Sequence, residues 1–208
     1  MKRNQNTIAE PIELEGVGLF GGEEVTLTMR PAEADRGIAF VRVDMDGHPV
    51  IPCNYRHLRV HSHRSGLQHG KATVETIEHV MAALAGMRVD NVVIEMDAGE
   101  PPALDGSALP FAEAIRDAGL RELDAPKKEL VVSDAISFTK GELALLALPG
   151  EDDGYTVSYT LDYNDPGVGF QSLIVKVTPE SFIDQIAPAR TFILRSEAEA
   201  LRAGGLVK

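Results

Sequence analysis

Hydrophobic and polar residues alternate along the first sixty positions of the chain, most clearly at Glu24–Met29. An alternation of period two predicts β-strands with one buried face. A second such run follows a turn-rich gap at Gly37–Val43, and Asn91–Met96 reads as a further strand. We therefore predict mainly β-structure for residues 7–60.

The period changes near residue 73, where apolar side chains recur at helical spacing as far as 85. Glu75 and Glu78 would lie near the positive end of the helix dipole, and Gly86 would end the helix. Alanines surround Glu78 on a second face, so we expect this helix to be covered on both sides. Its main apolar stripe would contain Val74, Ile77, Met81 and Leu84.

A second helix is predicted at about 108–118, with Ser107 as N-cap and Gly119 as its end. The polar, proline-containing stretch Asp124–Lys128 follows and is our candidate domain boundary. The apolar side of this helix would contain Phe111, Ala114, Ile115 and Ala118.

The second half repeats the order of strands followed by helices. Thr178 opens one predicted helix, with Phe182, Ile183 and Ile186 on one face, and a last helix begins at Ser196, with Glu199 completing a capping box, and stops at Gly204–Gly205. This order predicts an α+β fold of two units, 1–124 and 125–208. The strands of the second unit are predicted near 129–136, 143–148, 155–162 and 172–177.

Composition narrows the class of protein. The chain has 208 residues, 44% of them hydrophobic, with 20 basic and 32 acidic side chains and a net charge of −12. These values exclude collagen-like and disordered classes and argue against a nucleic-acid partner. No apolar run reaches the roughly 18–20 residues that span a bilayer, and the first ten residues lack a signal-peptide core. With Cys53 as the single cysteine, we expect a cytoplasmic protein.

The histidines are confined to one region, because all six lie between His48 and His79. The adjacent pair Glu78 and His79 has two interpretations. One is a carboxylate at a helix start beside a surface histidine. The other is a metal ligand beside a general base, since imidazole binds zinc and a carboxylate can take a proton from metal-bound water.

A rival metal site is offered by His57, His61 and His63, two of which would share one face of a strand. Arginines interleave with these histidines between Arg56 and Arg64, and cations beside a dication are unfavourable. The stretch is better suited to an anionic ligand such as a diphosphate, or is a solvated strand.

Three loops carry weaker signals. Gly16–Gly22 contains four glycines and predicts a tight turn in preference to a phosphate-binding loop. Leu104–Ser107 predicts a turn that leads into a helix. In Pro188–Phe192, the hydroxyl of Thr191 can donate a hydrogen bond to a developing oxyanion, and Phe192 can line an apolar slot.

Taken in order, these segments resemble the UDP-3-O-acyl-N-acetylglucosamine deacetylases, the zinc amidases of lipid A synthesis. The resemblance covers the chain from about Thr7 to its end. It implies two α+β domains with helices packed between two sheets, the second domain being incomplete here. It is carried by Gly16–Gly22, Thr76–Gly86, Asp90–Asn91, Asp105–Ala108, Pro110–Phe111 and Ala189–Phe192.

The resemblance also implies roles for single residues. His79 would be a zinc ligand, Glu78 the general base, and Thr191 a donor to the oxyanion. Phe192 would contact a UDP-linked acylated glucosamine substrate, with Ser62 and His63 as further substrate contacts. The region Leu194–Leu206 matches part of the family's acyl-chain passage.

The chain also departs from the family pattern. The first glycine loop has Phe20 where the family usually has a histidine, Ser62 and His63 stand where many members have Cys or Thr, and Asp165-Pro166 replaces a His-Pro pair. The family's further zinc ligands and its general-acid histidine have no counterpart, because no histidine follows His79. We therefore expect that these 208 residues alone do not form a three-ligand zinc site, and the alternative function is a non-catalytic homologue that binds a nucleotide sugar or a protein partner.

Overall fold

The structure is a computed structural model that describes residues 3–61, 64–150, 154–163 and 165–203. It has mixed helices and strands in several sheets, which confirms the predicted α+β class. The strands are β1 (Asn4–Ile8), β2 (Ile12–Val17), β3 (Glu24–Pro31), β4 (Ile38–Arg42), β5 (Val50–Pro52), β6 (Leu58–Val60), β7 (Ser65–His69), β8 (Ala72–Glu75), β9 (Val92–Met96), β10 (Leu120–Pro126), β11 (Ile136–Lys140), β12 (Leu143–Ala147), β13 (Thr156–Asp162) and β14 (Phe170–Lys176). The helices are α1 (Glu78–Gly86), α2 (Leu109–Ala118), α3 (Pro179–Ser181) and α4 (Arg195–Ala203), with a 3₁₀ turn at Tyr55–His57 and a π-helical turn at Phe182–Ile186.

The largest sheet has the order β2-β3-β9-β4-β5, and all its pairs are antiparallel except β4 with β9. The alternation predicted for the third strand is confirmed, because Val25, Leu27 and Met29 are buried and the residues between them are less so. Strands β6, β7 and β8 form a second sheet, and β1 pairs with β10. Helices α1 and α2 contact each other and contribute to one hydrophobic core with these strands.

The first helix is shorter than predicted. Residues 72–75 form strand β8, which pairs with β7 and places Val74 opposite Leu67. The predicted stripe through Val74, Ile77, Met81 and Leu84 is therefore wrong as a helix face, since two of its members precede the helix. Strand pairing outweighs local helical spacing here, as tertiary context often does. The buried residues of α1 are Val80, Ala83, Leu84 and Gly86.

The second helix is confirmed at Leu109–Ala118, with Phe111 and Ile115 fully buried. The hydroxyl of Ser107 accepts a hydrogen bond from the Leu109 amide at 3.1 Å, which is the capping role predicted for it. Gly119 ends the helix at a φ of +72°, a conformation that suits glycine.

Strand β10 was not predicted, and it carries the chain back to the N-terminal strand. Asp90 stabilises this junction: its side chain accepts hydrogen bonds from Arg3 Nη1 at 2.5 Å and from the Asn6 amide at 2.8 Å, and Lys127 Nζ lies 2.7 Å away. Burial alone would raise the pKa of this carboxyl, but the hydrogen bonds from Arg3, Lys127 and the Asn6 amide, with the charge of Arg3, together leave the pKa below its usual value. β10 extends two residues past position 124, and the division into two domains remains a prediction.

The second half begins with two hairpins, β11–β12 and β13–β14. The first predicted strand of this half was placed too early, because pairing starts only at Ile136. Large apolar side chains such as Phe138, Leu145 and Ile174 are exposed on these hairpins. The period-two pattern therefore identifies the strands without showing which surface is covered.

The segment after the hairpins packs against the first half. Thr178 opens a helix as predicted, and a capping box that the sequence analysis did not predict joins it to Ser181. The Phe182 ring is 3% exposed and lies against Gly86 of α1, and Ala187 is also buried. Phe182 thus covers the C-terminal end of α1, opposite the main core. The predicted cover over the alanine face is wrong, because Ala82 is only half-buried and Ala85 is exposed.

The last helix, α4, begins at Arg195 instead of Ser196, and the Leu194 amide donates to Glu197 Oε2 at 3.0 Å. The predicted stop at 204–205 lies outside the described residues. None of the helices in the described part of the chain is long and apolar enough to cross a membrane.

Candidate active site

Glu78 and His79 are the first two residues of α1, and both are half-buried. Glu78 Oε2 accepts a hydrogen bond from the Ser65 amide at the start of β7, at 3.1 Å. The carboxylate is thus held between the small sheet and the helix start, where the exposed amides of a first helical turn favour an acidic group. Both interpretations of the pair stay open, because a half-buried acid and imidazole at a helix start fit either one.

His79 borders a small pocket between α1, the glycine loop and the turn before α2. The walls of the pocket are mostly apolar, and His79 is the imidazole in its lining. The pocket has room for about one water molecule, far less than a typical ligand site, so it shows which segments surround His79 and does not by itself define a binding site. The lining residues are Leu19, Thr76, His79, Val80, Pro101, Pro102, Ala103, Gly106 and Phe111.

Thr76 connects β8 to α1 in a strained conformation. Its φ is +57°, which L-residues with a branched Cβ rarely adopt, and the residue is only 7% exposed. Such a conformation costs roughly 1–3 kcal/mol and persists only where surrounding contacts hold it. The turn at Thr76 sets the direction of α1 and therefore the position of Glu78 and His79.

The glycine loop, defined here as residues 16–22, meets an internal carboxylate. The amides of Phe20 and Gly21 both donate to Glu100 Oε2 at 2.9 Å, and the Thr76 hydroxyl donates to Glu100 Oε1 at 3.0 Å. A Cβ added to Gly18 would lie 2.8 Å from Glu100 Oε2, so the carboxylate approaches where a side chain would block it. The loop is thus a tight turn, as predicted, and two of its amides already bind a carboxylate.

Thr191 lies at the edge of the same region. Its amide donates to Gly106 O at 3.3 Å, and Gly106 lines the pocket of His79. The turn beneath it is fixed by Asp105, whose Oδ1 accepts from the amide and the hydroxyl of Ser107 at 2.9 and 2.8 Å. Two segments quoted for the family resemblance, 105–108 and 189–192, are therefore in direct contact.

Phe192 is 54% exposed, and its ring makes an edge contact with Tyr163, with centroids 5.7 Å apart. The exposed part of the Phe192 ring, supported by the half-buried Tyr163, offers an apolar surface to a ligand. Tyr163 was missed in the sequence analysis, where only the neighbouring Asp165-Pro166 pair was noted.

Basic side chains from the stretch before α1 contact a second carboxylate, that of Glu75. Arg64 binds Glu75 Oε2 at 2.7 Å, Arg59 lies 3.2 Å from Oε1, and His61 Nε2 lies 3.1 Å from Oε1 but outside hydrogen-bond geometry. The Arg64 guanidinium also covers the ring of Phe20 at 4.5 Å. These charges already have an internal partner, which weakens the prediction of a diphosphate at this stretch.

These contacts also show which side chains could bind a zinc ion together. Within the described ranges, no three His, Cys, Asp or Glu side chains are grouped to hold a metal ion. His57 pairs with His69, at a ring distance of 4.9 Å, and His61 faces Glu75. With His79 as the predicted ligand, the described residues would supply one ligand, where catalytic zinc needs three. Ser62 and His63 lie outside the described residues.

Glu100 and Thr76 were not singled out in the sequence analysis. Glu100 precedes two prolines in a loop, and nothing in that pattern indicates a carboxylate that binds backbone amides. Thr76 fell inside a predicted helix, where its positive φ had no signal.

Fold and site together define an α+β protein in which an acid–imidazole pair starts a buried helix beside an apolar pocket. The comparisons give the particular family. Residues 5–208 match the family model described as LpxC, UDP-3-O-acyl N-acetylglycosamine deacetylase, and the chain belongs to this family.

Curated relatives agree with that family. The chain is 41% identical to the UDP-3-O-acyl-N-acetylglucosamine deacetylase of Anaeromyxobacter dehalogenans, over 99% of this chain and 65% of that protein. It is 36% identical to the protein of the same name from Bdellovibrio bacteriovorus, over 98% and 67%. It is 39% identical to the bifunctional enzyme LpxC/FabZ of Chlorobaculum tepidum, over 99% and 44%. The chain thus spans about two thirds of the length of the deacetylases it matches.

Proposed function

We propose that this chain carries the first part of a deacetylase site, which acts on the acetamide of a UDP-3-O-acyl-N-acetylglucosamine in lipid A synthesis. The substrate class comes from the family and the names of the relatives. The observation that carries the proposal is the contact between Thr191 and Gly106, because it brings the loop of the second half to the pocket of His79.

The proposed roles come from the family resemblance, and the contacts of Glu78 and Phe192 are compatible with them. Glu78, held at the helix start by the Ser65 amide, accepts a proton from the attacking water. The Thr191 hydroxyl donates to the oxyanion that forms when the acetamide carbonyl is attacked. Phe192, with its exposed ring beside Tyr163, contacts the substrate next to the acyl chain.

His79 is proposed as a zinc ligand, which lines the pocket on the side of α1. The described residues supply only this one ligand, so they do not complete a zinc site. We also propose a cytoplasmic location, which is consistent with a single, partly buried cysteine and no disulfide among the described residues.

A second function is favoured by that same incomplete donor set. In it, the chain is a non-catalytic homologue that binds a nucleotide sugar or a protein partner. The pocket and the exposed aromatic pair would then serve binding alone, and Glu78 would have no chemical role.

The two functions are separated by measuring acetate release and substrate binding on the same protein. The substrate is UDP-3-O-acyl-N-acetylglucosamine, with zinc added, and binding is followed by calorimetry. Deacetylase function requires further zinc ligands from outside the described residues, and with the site complete it predicts acetate release that falls at least about 100-fold in Glu78→Gln, as for loss of a general base. Zinc content, measured by elemental analysis, should fall in His79→Ala.

The matched control is Glu95→Gln, which removes a carboxylate from an exposed ion pair with Arg30 on strand β9. It should leave acetate release unchanged. Substrate binding without acetate release, equal in the parent protein and in Glu78→Gln, would contradict the deacetylase proposal and support the binding homologue.

A further inference from the structure

Glu100 is the point where the two walls of the His79 pocket are joined. One wall is the glycine loop, through the amides of Phe20 and Gly21, and the other is the start of α1, through the hydroxyl of Thr76. Three donors thus converge on the two oxygens of one half-buried carboxylate. Hydrogen bonds to an ionised acceptor are stronger than neutral ones, so this junction is well suited to hold both walls.

The helix side needs such a contact because of the strain at Thr76. A β-branched residue at a φ of +57° relaxes toward the β or α region when nothing holds it. Relaxation there would rotate the chain immediately before Glu78 and His79. The hydroxyl of Thr76 is the side-chain group that ties this residue to Glu100, at 3.0 Å.

The glycine loop lies close to the same carboxylate, at positions where a side chain would not fit. A Cβ on Gly18 would lie 2.8 Å from Glu100 Oε2 and 3.2 Å from Glu100 Cβ, and a Cβ on Gly16 would lie 2.9 Å from Pro102 Cβ. The loop therefore packs closely against residues 100–102. Leu19, at its tip, lines the pocket with His79.

We infer that Glu100 is a positioning residue, whose carboxylate fixes the Glu78–His79 pair relative to the glycine loop by holding Thr76 and the loop amides together. The inference concerns the geometry of the site and gains its catalytic meaning from the proposed function. As a positioning residue, Glu100 does not contact the reacting groups itself.

Two substitutions at Glu100 separate positioning from general stability. Glu100→Gln can keep the geometry, because its carbonyl oxygen can accept from both amides while its NH₂ group donates to the Thr76 oxygen. Glu100→Ala removes all three hydrogen bonds. Thr76→Val removes only the helix-side contact and keeps the shape of the side chain, whereas Thr76→Ser keeps the hydroxyl. Glu95→Gln is again the control.

The primary readout is amide hydrogen exchange with backbone chemical shifts, which needs no activity. We expect Glu100→Ala to raise exchange of the Phe20 and Gly21 amides at least tenfold and to shift the signals of Glu78 and His79. Thr76→Val should shift the helix-start signals and leave the loop amides protected. Glu100→Gln, Thr76→Ser and Glu95→Gln should resemble the parent protein.

Where the parent protein releases acetate, kcat should fall in Glu100→Ala and recover in Glu100→Gln, with KM little changed. A parent protein without activity would count against the proposed function alone, since the exchange measurement still decides the role of Glu100. Unchanged loop amides in Glu100→Ala, or a rise in exchange of equal factor throughout the protein, would overturn the inference.

Discussion

Gly86 is the position where the packing of the two halves can be tested by a single methyl group. It is the last residue of α1, and the Phe182 ring lies directly over it. A Cβ built on Gly86 would lie 2.5 Å from Phe182 Cδ2 and closer still to two other ring carbons. No real Cβ makes such contacts, so Gly86→Ala must displace the ring.

The size of the effect follows from opposing contributions. Alanine gains up to about 1 kcal/mol over glycine inside a helix. Overpacking a well-filled site costs about 1–3 kcal/mol, and full expulsion of a phenylalanine loses about 1.5–3 kcal/mol of burial. Because Phe182 is 3% exposed, little free space is available for the ring, and we expect a net destabilisation of about 1–2 kcal/mol.

Equilibrium unfolding in urea measures this quantity. With a slope of about 2 kcal/mol/M, the midpoint should fall by roughly 0.5–1 M. The control is Gly99→Ala, where the nearest atom to the added Cβ is Arg42 Nη1 at 3.6 Å, an ordinary contact. That variant should be neutral or slightly stabilised, since alanine restricts the unfolded chain.

The decisive comparison is the effect of Gly86→Ala in the parent protein and in a variant that lacks the Phe182 ring. In Phe182→Ala, which should itself cost about 3–5 kcal/mol, the obstruction is gone. Gly86→Ala should then be neutral or stabilising, so the sign of its effect reverses. An equal loss of stability in both backgrounds would refute the reasoning, because the ring would not be the cause.

Three further outcomes follow from other contacts. Asp90→Asn should lose about 2 kcal/mol above pH 5. The gap should close as pH falls from about 4 through the lower folded-state pKa, because a lowered carboxyl pKa stabilises the fold above the unfolded pKa and this stabilisation is lost as the folded carboxylate is protonated; a gap independent of pH in urea unfolding would contradict this. Thr178→Ala should cost about 1 kcal/mol through the lost cap of α3 and Thr178→Ser little, and equal urea midpoints in both variants would count against the cap. Burial raises the pKa of the Cys53 thiol, so alkylation by iodoacetamide at pH 8 should be slower than that of a free cysteine, and an equal rate would disprove shielding.

Local pattern was sufficient for elements whose burial follows one strand or helix. β3 and α2 were predicted because Val25 to Met29 alternate and Phe111 to Ile115 recur at helical spacing. The boundary of α1 was missed since a strand pairing with β7 and the positive φ of Thr76 both depend on residues distant in sequence. Similarly, β10 could not be read from its own composition, as its partner is the N-terminal strand.

The residues of the candidate site also differ in whether the sequence alone could identify them. Glu78 and His79 stand in a specific motif, and the structure places them at a helix start with His79 beside a small pocket, while their roles stay predictions. Glu100 could not be found from sequence, because its importance lies in three donors from two distant segments. A sequence shows which side chains could act as a base or a metal ligand. Contacts between segments distant in sequence, such as those of Glu100, are seen only in the structure.

The glycine loop gives the last prediction, because its glycines are needed for different reasons. Gly18 faces Glu100 so closely that a Cβ would contact both its carboxylate and its Cβ, whereas a Cβ on Gly21 would lie 3.6 Å from Glu100 Oε2. Gly18→Ala should therefore displace Glu100 and raise exchange of the Phe20 amide, although the substitution removes no hydrogen-bonding group. Gly21→Ala should leave that amide protected. If both variants behaved alike, close approach of Glu100 would not explain the glycine at position 18.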